Sequence, residues 1–147
     1  MARRILKITL FTLLVLISAT ALWIGMVDDN TGGKMSYYLH FDAHVEATSC
    51  TPRVQTLKAV ASFRSTAPAD AATLPTSVTG GGVFGVRAGD ELVAVNVYGP
   101  VGGTIGAVTL AGRPVQGMQD PVELDGRPVA TFYVDLQPGK TVPATWT

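Results

Sequence analysis

Cysteine and histidine are nearly missing from this chain. One cysteine, Cys50, and two histidines, His40 and His44, stand in 147 residues. A lone cysteine forms no internal disulfide, so the fold must rest on its apolar core. One thiol and two imidazoles are too few for a Cys/His zinc cluster of the structural kind. Charge is scarce as well, at 15% of residues and net zero. Three of the eleven basic residues, Arg3, Arg4 and Lys7, lie at the very start, which leaves eleven acidic against eight basic side chains in the remainder. A mildly acidic remainder argues against nucleic acid as a partner. Beyond Val27 no stretch carries sustained helical periodicity, low complexity or a block of like charge.

One long apolar run is present. Residues 8–27 hold no charge, behind a basic flank and ahead of Asp28 and Asp29. At 1.5 Å per residue such a run spans about 30 Å, the thickness of a bilayer core. Ile8, Leu10, Leu14, Leu16 and Trp23 are the expected anchor residues, with Trp23 near the outer interface. The flanking charges place the N-terminus in the cytoplasm and the rest outside it. A second reading stays open. Ala19, Thr20 and Ala21 form a small-x-small pattern that a signal peptidase accepts, so cleavage after Ala21 would give a secreted protein. Cys50 lies too far from the run to be a lipoprotein cysteine.

The remainder reads as strands. Met35, Tyr37, Leu39, Phe41, Ala43 and Val45 alternate with polar residues, which predicts one long strand from Met35. Leu57, Ala59, Ala61 and Phe63 repeat the pattern. "ELVAVNVY" (91–98) is apolar on both faces and should be central, and "TIGAVTL" (104–110) and "VATFYVDL" (129–136) follow. In "TVPATWT" (141–147), Pro143 suggests an edge strand. "LAGRPV" and "LDGRPV" repeat one word and read as two hairpin turns, with Gly112 and Gly126 at positive φ. The long connection 67–82 has room for a helical turn near Asp70. The expected fold is mainly β: an N-terminal transmembrane helix (1–27), then an antiparallel β-sandwich of immunoglobulin-like architecture (28–147).

Candidate sites are thin. His40, Asp42, His44 and Glu46 share one face of the first long strand, and neighbours there could reach one metal ion. No third histidine completes a site, and a solvated polar face is the simpler reading. Cys50 is expected to be a partly buried thiol, or else an intermolecular one. "PGKT" (138–141) ends like a phosphate loop, but Val134 stands where the first glycine belongs. Arg113 and Arg127 offer a paired anion site, and Tyr37, Tyr38, Tyr98, Phe132, Tyr133 and Trp146 a sugar-binding surface. Both have simpler readings, as turn residues and as packing. Glu91 and Glu123 are carboxylates available for pairing, as in any soluble domain. No serine sits in a nucleophile elbow and Cys50 has no evident base.

From "TGGKMSYYL" (31–39) onward the chain resembles the carboxy-terminal part of a family of membrane proteins from actinobacteria, known as domain of unknown function 4012. "TSCTPRVQTLKAV", "STAPADAATLP", "VTGGG", "YGPVGG", "GRPV" and "LQPGKT" carry the resemblance, in order. It implies a membrane-anchored, extracytoplasmic protein, here without the large middle region of the family. It lends no activity and no cofactor. The expected role is non-catalytic: a structural or interaction module of the cell envelope. Its partners would be the membrane, another envelope protein or a cell-surface glycan. The alternatives are an accessory remnant of a polysaccharide-handling protein, or a secreted glycan- or metal-binding module.

Overall fold

A computed structural model describes residues 27–51, 53–115 and 122–147. The chain is mainly β and forms two antiparallel sheets. The four-stranded sheet has the order β1 (Val27–Asp29), β4 (Glu91–Tyr98), β8 (Arg127–Leu136), β7 (Val122–Leu124). The five-stranded sheet has the order β2 (Leu39–Cys50), β3 (Gln55–Ser65), β9 (Thr141–Trp146), β5 (Thr109–Leu110), β6 (Arg113–Pro114). Their inner faces share one core: Ala59, Ala61 and Phe63 from β3, Val93, Val95 and Val97 from β4, Phe132, Val134 and Leu136 from β8, Ala144 and Trp146 from β9. The Phe132 and Trp146 rings meet across the sheets with centroids 6.1 Å apart.

The period-two pattern explains this arrangement. β3 and β4 both turn every second residue inward, and β4 has a strand on either side, as expected for "ELVAVNVY". Phe41 lies directly opposite Phe63, with ring centroids 5.1 Å apart. The repeated "GRPV" words are hairpin turns as read. Ala111 and Gly112 (φ 48° and 75°) join β5 to β6, and Asp125 and Gly126 (φ 51° and 72°) join β7 to β8. Two consecutive positive φ values match the right-handed twist of the flanking strands.

Several expectations need correction. The first long strand begins at Leu39; Met35–Tyr38 is a single 3-10 turn. Met35 leaves the alternation because it packs in a second, smaller core with Ala67 and Ala71. Lys34 N donates to Val78 O at 2.8 Å, which ties this turn to the distant 67–85 connection. In that connection Ala71–Thr73 is the helical turn expected near Asp70, followed by a four-residue helix, Thr76–Thr79. Within 104–110 only Thr109–Leu110 pairs as a strand. β9 is interior, between β3 and β5. Pro143 is tolerated there because β5 pairs only Ala144 and Thr145, and the Pro143 carbonyl receives Ala111 N at 2.8 Å. A strand residue turns its N–H and C=O to the same side, so the missing N–H of Pro143 faces the turn after β5 and not the ladder with β3.

Val27, assigned by the sequence to the anchor, is the first residue of β1 and lies opposite Val95. The other anchor residues, Ile8, Leu10, Leu14, Leu16 and Trp23, lie outside the described residues. Among the described residues no helix is long and apolar enough to cross a membrane.

Candidate binding groove

A groove of about 580 Å³ opens between the two sheets at the Tyr98 end of β4. That volume falls within the usual range of ligand sites, about 300–1,000 Å³. Its floor is apolar, with Val45, Leu57, Ala59, Val97, Ile105 and Trp146. One wall is the tip of the β2–β3 hairpin, residues 53–56. A tight turn holds that tip: Thr51 N donates to Val54 O and Val54 N to Thr51 Oγ1, both at 2.9 Å. The opposite wall is the connection from β4 to β5, residues 98–106.

The glycines of "YGPVGG" shape this wall. Gly99 N donates to Pro128 O at 2.8 Å, and a Cβ on Gly99 would come within 2.7 Å of the Pro128 ring. Gly102 takes φ 68° in the turn closed by Gly103 N and Pro100 O, and its own N–H reaches Gly126 O at 3.0 Å. The wall is thereby fastened to the β7–β8 hairpin. The outermost side chains are Val54 and Val101, 63% and 66% exposed. Among the described residues Arg53 is the only charged side chain lining the groove. Among the described residues no carboxylate side chain, imidazole or thiol lines it. Such a surface can recognise by shape, apolar contact, the Arg53 charge and backbone polarity.

The other end of the fold holds an acidic pair. Asp29 lies opposite Val93, whose side chain is buried, so Asp29 shares the inner face with Glu91. Asp29 is well served: Oδ1 accepts from Thr31 N at 2.8 Å and from the Thr31 hydroxyl, and Oδ2 accepts from Ser36 N at 3.1 Å. Glu91 is 0% exposed and neither carboxylate oxygen has a hydrogen-bond partner. Burial, and secondarily the charge of Asp29, push its pKa from the ordinary 4.5 up to about 7. Glu123, its companion in the sequence reading, is exposed on β7, an edge strand. Sequence reasoning named Glu91 only as an ordinary carboxylate, although its place in the inward phase with Val93, Val95 and Val97 was the signal that it is buried.

The remaining candidates are dispersed. His40, Asp42, His44 and Glu46 line the exposed face of β2, opposite Arg64, Ser62, Val60 and Lys58 of β3. Among the described residues no three His, Cys, Asp or Glu side chains come together to hold a metal ion. Cys50 ends β2 as a free thiol, exposed where partial burial was expected, because the hairpin tip projects past the core. Arg113 and Arg127 belong to different sheets, and Arg127 Nη1 donates to Gly99 O at 3.4 Å. The aromatic residues form no common surface: Phe132 and Trp146 are buried, while Tyr37 is 84% exposed against Tyr38. "PGKT" lies in the turn between β8 and β9 and at the start of β9, with Lys140 N donating to Gln137 O at 3.0 Å.

No family model, no curated protein and no solved structure matches the chain.

Proposed function

We propose that this protein is a non-catalytic binding module of the cell envelope, held at the membrane by residues 8–26, with an immunoglobulin-like β-sandwich outside the cytoplasm. The observation that carries the reading is the groove between the sheets, apolar in its floor and, among the described residues, without an acid–base pair in its lining. A reaction needs a base, nucleophile or electrophile held in a partly dry site. Among the described residues the one strongly perturbed carboxyl, Glu91, is at the far end of β4 and fully buried.

Strand polarity adds an orientation. β1 runs antiparallel to β4, with Val27 opposite Val95 and Asp29 opposite Val93. The chain therefore enters its sheet at the Tyr98 end, where the groove opens. With the anchor preceding β1, the groove and its Val54 and Val101 rim face the bilayer. A partner close to the membrane, such as another envelope protein, fits this geometry better than a soluble one. The resemblance to the terminal part of the domain of unknown function 4012 family supports the same envelope role.

Fractionation tests the tether. Cells making the full chain with a C-terminal tag should hold the tag in the membrane fraction, where external protease removes it. Tag in the medium on a chain that begins at Leu22 would show cleavage after Ala21 and end the tethered reading. Protease-resistant tag in intact cells would reverse the topology.

A further inference from the structure

The longest free edge among the described strands is that of β2. It spans twelve residues at the border of the five-stranded sheet and pairs only with β3. Backbone bonds at its two ends fix its polarity. Tyr38 O accepts from Thr66 N, and beyond the irregularity between Ala47 and Ser49 Thr51 N donates to Val54 O, both at 2.9 Å. Alternation along an antiparallel ladder then turns the backbone groups of His40, Asp42, His44 and Glu46 toward β3. Leu39, Phe41, Ala43, Val45 and Ala47 turn theirs outward, to the open edge. An edge of this length invites a further strand unless charge blocks it.

The charges on β2 select one partner. We propose that β2 pairs antiparallel with β2 of a second copy of this chain, across a two-fold axis at Ala43. In that register His40 faces Glu46 of the second copy, and Asp42 faces His44. Every one of these pairs falls at a non-hydrogen-bonded position, where facing side chains come closest. Shifting the axis to Asp42 sets Asp42 against its own copy and His40 against His44. Shifting it to His44 sets Asp42 against Glu46. Axes at Phe41 or Val45 leave one of the two histidines without an acid. On the flanking strand Lys58 sits beside Glu46 with the opposite charge, Arg64 sits beside His40 with the same sign, and Ser62 and Val60 sit beside Asp42 and His44.

The inner face gains as well. Phe41 and Val45 are half-buried at the rim of the core, and Ala43 and Ala47 are exposed. Pairing sets Phe41 beside Val45 of the second copy and Leu39 beside Ala47, which covers apolar surface left open by the four-stranded sheet. The contact is isologous, so it closes as a dimer and does not propagate. It also keeps the two Cys50 thiols apart, at opposite ends of the joined strands. They lie about fourteen residue steps from each other, roughly 45 Å, so no disulfide links this dimer.

Cys50 is the only cysteine and is exposed, which makes it the place for a fluorescent label. Full-length protein in mild detergent, labelled at Cys50 with donor or acceptor dye, should show concentration-dependent energy transfer. Glu46→Lys sets two lysines against His40, and His40→Glu sets two glutamates against Glu46. Each should raise the dissociation constant about tenfold. A mixture of donor-labelled Glu46→Lys with acceptor-labelled His40→Glu faces His40 with Glu46 and the new lysine with the new glutamate, and should recover wild-type transfer. The proposal fails if wild type shows no transfer, if either single variant associates as wild type does, or if the mixture is no tighter than the single variants.

Discussion

Replacing Phe63 by alanine should cost about 3–5 kcal/mol. Phe63 is 0% exposed and sits near the end of β3, flanked by β2 and β9. Its ring meets Phe41 on one side and belongs to the cluster that joins the two sheets. Removing it loses the transfer free energy of the ring and leaves a cavity that β-strands fixed on both sides cannot close. A domain of this size has about 5–15 kcal/mol in total, so the variant should sit close to unfolding at physiological temperature. Phe41 is only half-buried on the edge strand, and Phe41→Ala should cost about half as much. Val60, on the outer face of β3, is the control: Val60→Ala should change stability by less than about 0.5 kcal/mol. Urea unfolding of the three variants checks the order. A larger loss at Val60 than at Phe63 would mean that the faces of β3 are reversed, since a one-residue slip exchanges them.

Glu91→Gln should stabilise the protein at alkaline pH and do little at acid pH. The sign follows from the direction of the shift. Glu91 has its folded pKa raised from 4.5 to about 7, so folding favours the protonated acid. Below about pH 4.5 the group is protonated in both states and costs nothing. Between about 4.5 and 7 the unfolded chain releases its proton while the folded one keeps it, and stability falls as pH rises. Above about 7 the full penalty is present: a shift of this size corresponds to about 3 kcal/mol. Glutamine keeps the shape and removes the ionisation. Wild type should therefore lose on the order of 3 kcal/mol from this group between pH 5 and pH 8. Glu91→Gln should lack that loss and exceed wild type by about 2–3 kcal/mol at pH 8. Parallel pH profiles for the two proteins would place Glu91 in contact with water. The loss belongs to the end of the fold where Thr31, fully buried, leads into the Gly33 and Val78 crossing. That end should open first as pH rises.

Much of this architecture was legible in residue order. Alternation placed Ala59, Ala61 and Phe63 inward on β3, and the two "GRPV" words marked hairpins whose geometry needs positive φ at Gly112 and Gly126. Where the reading failed, contacts distant in sequence decided. Met35 continues the alternation of β2 on paper, but the hydrogen bond from Lys34 to Val78 and the packing against Ala67 and Ala71 bend it into a turn. Pro143 signalled an edge, and only the short reach of β5 explains its place inside a sheet. The unusual words of the sequence gather at the two ends. "TGGKM" crosses "VTGGG", where a Cβ on Gly33 would strike the Val78 carbonyl, and "YGPVGG" leans on the second "GRPV". The groove could not be read beforehand, since its lining comes from Val45, residues 53–57, Ala59, residues 97–106 and residues 146–147. No local pattern links those segments.

The groove as the working surface is the central claim, and photocrosslinking in living cells tests it most directly. A photoreactive residue placed at Val54 or Val101, on the groove rim, should give a discrete adduct with a membrane-associated partner. The same residue at Lys140, in the turn at the opposite end, should give none. A discrete adduct at Lys140 with none at Val54 and Val101 would contradict the account and move the working surface to the Glu91 end of the fold.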